Sequence, residues 1–114
     1  MAMAGVPLPL VEGGIAVSVL ILGLLVAASV RLPVGTGMTT AGLFALFHGH
    51  AHGSELPVIA DPLLYGMGFI AATVILHAIG FGLSTATRSL GREHPVRFAG
   101  GAVAGVGIVL LLSL

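Results

Sequence analysis

Apolar residues run through this chain in four long stretches, and the charged residues gather between them. Residues 13–30 carry no charge and are closed by Arg31 and Pro33. At about 1.5 Å per residue they reach roughly 27 Å, a slightly thin hydrocarbon core. The next stretch, 35–47, is too short alone, but it reaches spanning length if its helix continues through the histidines to Gly53. Pro57 and Pro62 bracket a short connection, with Asp61 placed as a helix N-cap and Pro62 suited to a first turn. Residues 62–87 are uncharged throughout and form the longest stretch, 88–97 read as a polar connection, and 98–114 are a glycine-rich apolar run. The pattern predicts an all-α polytopic membrane protein. It is a single domain over 1–114, a bundle of about four transmembrane helices near 13–30, 35–53, 62–87 and 98–114.

Composition agrees with that pattern. Apolar residues make up 57% and charged residues 7%, with a mean hydropathy of +1.17. A soluble domain carries about 25% charge, so this surface suits lipid rather than water. A formal net charge of zero leaves no electrostatic case for a nucleic-acid partner. The absence of cysteine excludes disulfides, thiolate metal sites and cysteine nucleophiles. The opening MAMAGVPLPLVEGG has no basic n-region and does not read as a cleavable signal peptide.

The arginines set an orientation. Arg31 follows the first stretch, and Arg88, Arg92 and Arg97 lie between or beside the third and fourth. With four spans these connections share one side, which the positive-inside rule assigns to the cytoplasm. Both termini and the 54–61 connection then face outward. The 18 glycines would weaken helices in water, but in lipid small residues let backbones approach closely. Gly101 and Gly105 form a GxxxG pair, and Ala16, Gly23 and Ala27 form a small stripe on the first span. Both are expected to pack helices.

Against this background FHGHAHGSE, residues 47–55, stands out: it holds three of the five histidines and one of the four acids. Ionisable side chains in a membrane segment are costly and mark function, and imidazole beside carboxylate suits a divalent transition metal. At about 100° per residue, His52 lies about 40° and Glu55 about −20° from His48, whereas His50 lies about 200° away. His48, His52 and Glu55 thus share a face. His50 joins them only if the helix unwinds at Gly49 and Gly53. The plainer alternative is a solvated, histidine-rich loop with loose metal affinity.

His77 lies near the middle of the third stretch, with Gly66, Thr73, Gly80 and Ser84 within about 60° of it on one small, polar face. It is a candidate midplane ligand, the alternative being a bond to a neighbouring backbone carbonyl. Glu12, at the outward end of the first span, is explained by the helix dipole, with an entrance role as the second reading. Glu93 and His94 read as solvated among arginines.

Enzyme templates fit less well. A zinc-protease HExxH motif needs Glu where Gly49 stands. Ser54 lies beside His52 and Glu55, but no nucleophile elbow is present. Phosphate loops and dinucleotide fingerprints are absent. A non-enzymatic role is expected, with an intramembrane metallohydrolase as the minor alternative.

FHGHAHGSELP, followed by YGMGFIAATVILHAIGFGL, resembles the HupE/UreJ family of small bacterial membrane proteins, regarded as nickel or cobalt permeases associated with hydrogenase and urease. Phe47, His48, Gly49, Ala51, His52, Gly53 and Glu55 match the family pattern, His50 and Ser54 fill its variable places, and VEGGIAVSVLILGLLVA resembles a family span that includes the acid at Glu12. The resemblance implies a multi-pass protein of the bacterial inner membrane, in which the arginine pattern above puts the termini on the periplasmic side. It implies secondary transport of Ni²⁺ or Co²⁺, with Zn²⁺ also acceptable to these ligands, and no bound cofactor beyond the metal itself. A metal-binding or assembly subunit without transport of its own is the alternative. Family members have about six spans and an N-terminal half with a second motif, a His followed by Asp-His, that has no counterpart here. The chain therefore looks like the C-terminal four spans, as a fragment, a misplaced start or a reduced version, and its expected partners are the metal ion, the bilayer, and a homo-oligomeric copy or an N-terminal membrane segment.

Overall fold

The computed structural model describes residues 10–54 and 61–114. These form four α-helices: α1 (Val11–Ala27), α2 (Val34–Ser54), α3 (Pro62–Ser89) and α4 (His94–Leu112), with no strand among the described residues. The four predicted stretches are therefore four helices. By length and hydropathy α3 and α4 are able to cross a membrane, whereas α1 is apolar but only 17 residues long. α2 has 21 residues, but its threonines, glycines and histidines dilute its hydropathy.

Two boundaries differ from the sequence pattern for local reasons. The first apolar run extends to Val30, yet α1 ends at Ala27. Ser29 takes a left-handed conformation (φ 53°), so that its N–H reaches the Val26 carbonyl and the Val30 N–H reaches the Leu25 carbonyl. Those two bonds satisfy carbonyls that the helix end would otherwise orphan. Gly91 (φ 63°) closes α3 in the same way, with Arg92 N–H donating to the Thr87 carbonyl. The polar connection expected over 88–97 is accordingly mostly helical. α3 continues through Ser89, and α4 starts at His94 with Pro95 in its first turn. At the start of α3, Asp61 is the predicted N-cap, its carboxylate accepting from the N–H groups of Leu63 and Leu64 at 2.8 and 3.0 Å.

Burial is inverted relative to a water-soluble domain. Among the described residues the buried apolar side chains are Ala16 and Ala104, while Phe81 is 74% and Phe98 81% exposed. Large apolar groups facing outward around a core of small ones are what a lipid solvent favours, because hydrocarbon gives no reason to hide leucine. The threonines of α3 obey the same constraint. Thr73, Thr85 and Thr87 each donate to a carbonyl one turn back, at 2.8 to 3.0 Å, so these hydroxyls are satisfied within their own helix.

The closest packing joins α1 to α4, antiparallel. A Cβ added at Gly23 would stand 2.8 Å from Ala104 Cα, and one at Gly107 would stand 2.7 Å from Leu20 Cα. At Gly100 an added Cβ would meet Val26 Cβ at 2.8 Å. Ala16 and Gly23 of the predicted stripe are buried in this seam. On α4, however, the seam uses Gly100, Ala104 and Gly107, whereas Gly101 and Gly105 have open space around them. The expected GxxxG pair thus lies one residue, about 100°, out of phase with the face that packs on α1.

α1 serves a second neighbour from its opposite side. Counting about 100° per residue from Gly14, Ser18 lies at about 40°, while Ala16, Leu20, Gly23 and Ala27 fall between about 180° and 240°. The Phe47 ring of α2 seats on Gly14, where an added Cβ would meet Phe47 Cγ at 2.6 Å. α2 therefore lies against the face that holds Gly14 and Ser18, and α4 against the face that holds Gly23.

Candidate functional site

The α1–α2 contact positions the first histidine. α2 remains helical through Gly49 and Gly53 to Ser54, so the unwinding that would bring His50 round to its neighbours does not occur. His48, one residue beyond Phe47, is half-buried beside α1. Its Nδ1 stands 3.5 Å from the Ser18 hydroxyl, which is wholly buried and donates its own hydrogen to the Ile15 carbonyl at 2.7 Å. With that hydrogen committed, the Ser18 oxygen is left to accept, which favours the His48 tautomer protonated at Nδ1 and leaves the Nε2 lone pair available. Metal-binding histidines are characteristically fixed through their second nitrogen in this way.

His52 turns toward the other neighbour. Its ring lies 5.1 Å from the Phe69 ring of α3 at a 52° tilt, and its backbone carbonyl accepts from the Tyr65 hydroxyl at 3.2 Å. The two histidines are one turn apart, with His48 on α1 and His52 on the start of α3. Glu55, the third member of the predicted face, lies outside the described residues. His77 is exposed on α3, its Nδ1 2.7 Å from the Thr73 carbonyl. The plainer reading of that residue is thus realised at one nitrogen, Nδ1. Glu12 is exposed and sits at about 160° on the scale above, toward α4 and away from the face that receives His48. Among the described residues no three His, Asp or Glu side chains converge as a metal site, so His48, His50, His52, His77 and Glu12 are not gathered into one cage.

The opposite end of the assembly is cationic. The Arg97 Nε donates to the Ala27 carbonyl at 2.9 Å, tying the start of α4 to the end of α1, and Arg88 Nε lies 3.8 Å from Glu93 Oε1. Arg31, Arg88 and Arg97 line one cleft there, so the two arginine-bearing connections do share an end of the bundle.

The family profile described as HupE / UreJ protein matches residues 1–110, a span that includes the whole histidine motif and all four helices apart from the last residues of α4. The chain belongs to the HupE / UreJ family. It is 46% identical over 113 residues to Protein HupE of Rhizobium leguminosarum bv. viciae, an alignment covering 99% of this chain and 59% of that relative. The chain thus spans about three-fifths of the length of the curated HupE it matches. No solved structure matches it.

Within this HupE / UreJ chain three site neighbours were not singled out from sequence: Ser18, Tyr65 and Phe69. Ser18 had a visible mark, since no other side-chain hydroxyl occurs in α1, and Tyr65 is the sole tyrosine. Phe69 had none, being one of many large apolar residues on α3.

Proposed function

We propose that this chain is part of a HupE/UreJ-type permease that moves a divalent transition-metal cation, Ni²⁺ or Co²⁺, across the bacterial inner membrane. The observation that carries this reading is the pair His48 and His52. They stand one turn apart at the end of an unbroken helix, and Nδ1 of His48 faces a buried hydroxyl that leaves Nε2 for the ion. Borderline metals bind imidazole together with carboxylate. A path needs several weak stations rather than one tight cage, and histidines spaced apart meet that need better than a closed site would. In this reading His48 and His52 take the ion at the outward mouth, Glu55 offsets its charge, and His77 receives it further along. Glu12 and His50 are outer contributors. Membership of the HupE / UreJ family supports the same assignment.

The test is metal uptake in cells expressing the protein with its natural partners. Replacing both His48 and His52 by Ala should abolish uptake of radioactive nickel, and undiminished uptake would exclude the assignment.

A second reading rests on His48 and His52 turning to different helices, α1 and α3, where each offers a separate weak binding position. It makes the chain a metal-binding or assembly subunit that supports hydrogenase or urease maturation without transport. Reconstitution into liposomes separates the two, since binding without flux selects the second.

A further inference from the structure

A cleft at the arginine end lies apart from the histidines of the proposed metal path. It encloses about 480 Å³ between the C-terminal ends of α1 and α3 and the first turns of α4. Its mouth carries Arg31, Arg88 and Arg97 against a single acid, Glu93. Three guanidinium groups facing one carboxylate leave a surplus of positive charge, which repels a divalent cation and attracts an anion. The cleft is therefore a poor exit for a metal ion and a good seat for a phosphate, which arginine binds through paired N–H groups. Arg97 uses only Nε on the Ala27 carbonyl, and its remaining N–H groups are available to a ligand.

The depth of the cleft is as informative as its mouth. It runs into a second hollow of about 300 Å³ and shares Leu22, Val26, Gly80, Ser84 and Val96 with it. No charged residue lines that second hollow, and Ala99, Gly100 and Val103 complete its α4 wall. The result is one groove between α3 and the α1–α4 pair, cationic at one end and apolar along its length. A free inorganic anion would use only the mouth. A molecule with an anionic head and a hydrocarbon tail matches both parts.

We propose that this groove binds one anionic phospholipid, its phosphate held by Arg31, Arg88 and Arg97 and one acyl chain lying between α3 and the α1–α4 seam. Basic pockets between transmembrane helices on the cytoplasmic side are where anionic head groups are held. The occupant fills space that α3 otherwise leaves open and ties α3 to the rest of the bundle.

Native mass spectrometry of the purified protein in detergent tests this with two added lipids of identical chains, phosphatidylglycerol and phosphatidylcholine. A one-to-one phosphatidylglycerol adduct should form in clear preference to phosphatidylcholine. Replacing Arg31 and Arg88 together by Gln should reduce its occupancy by about five-fold for each lost contact, roughly 25-fold in all, with unchanged helix content by circular dichroism. Gly80→Leu provides an independent check. An added Cβ there meets nothing within 4 Å, so the leucine fills the groove without disturbing the helix and should lower binding of both lipids. Equal retention of the two lipids overturns the proposal, as does an adduct that survives both variants. Displacement by millimolar inorganic phosphate would reassign the mouth to a simple anion, and a dimer that excludes lipid would reassign the groove to a second copy. Metal uptake is not the readout, so this result stands or falls separately from the transport assignment.

Discussion

The Ser18 hydroxyl oxygen stands 3.5 Å from Nδ1 of His48, with its own hydrogen committed to the Ile15 carbonyl. This places a buried polar atom of α1 directly behind the first histidine of the motif. Ser18→Ala removes the oxygen that orients the ring while leaving the imidazole in place. Metal affinity, measured by titration calorimetry on the purified protein, should fall by about ten-fold, the lower end of the usual cost of losing an orienting partner. Helix content should be unchanged.

The helical phase of α2 separates His48 from His50 although they are two residues apart. His48→Ala should remove most metal binding, and His50→Ala should leave affinity within about two-fold of the parent, because the intact helix points His50 away from the Ser18 contact. Equal losses at the two positions, read by the same titration, would mean that the segment acts as a loop.

The α1–α4 seam makes an opposed pair of predictions for neighbouring glycines. Gly100→Leu forces a side chain against Val26 and Ala27, and the α1–α4 contact should weaken by about 1–3 kcal/mol or separate altogether. Gly101→Leu enters open space and should change stability by less than about 0.5 kcal/mol. Thermal unfolding in detergent distinguishes them.

Tyr65 joins the start of α3 to the end of α2 through one hydrogen bond to the His52 carbonyl. Tyr65→Phe keeps the ring and removes that bond, so stability should fall by only about 0.6 kcal/mol, the mean measured for interhelical bonds in membranes. Hydrogen exchange at the N–H groups of the last turn of α2 should accelerate, reporting a loosened junction.

Much of the helical layout was legible from the chain, and the misses have physical causes. The apolar runs located all four helices because charged and turn-forming residues punctuate them, and Asp61 followed by Pro62 marked the start of α3 because capping is local. The end of α1 was misplaced because Ser29 adopts a left-handed turn with no glycine to advertise it. The α4 seam was read one residue out because Gly100 and Gly101 are adjacent, and composition cannot say which of two neighbouring glycines meets α1. At the site, α2 stays helical through His50, so the backbone keeps the phase that sets His50 apart from His48 and His52. Periodicity could not show that His48 would turn to α1 and His52 to α3, since that depends on Phe47 seating on Gly14.

The tightest seam joins α1 to α4, helices separated in sequence by both α2 and α3. During synthesis α1 is made before α4 and must wait for α4 to emerge before its glycine face is covered. The long-range closure is slow by its topology, and the interval is the stage at which α1 is most open to a chaperone, a wrong helix or a protease. A ribosome stalled between α3 and α4 would therefore hold a chain whose histidine segment has already met Ser18 but whose α1 still lacks its main support.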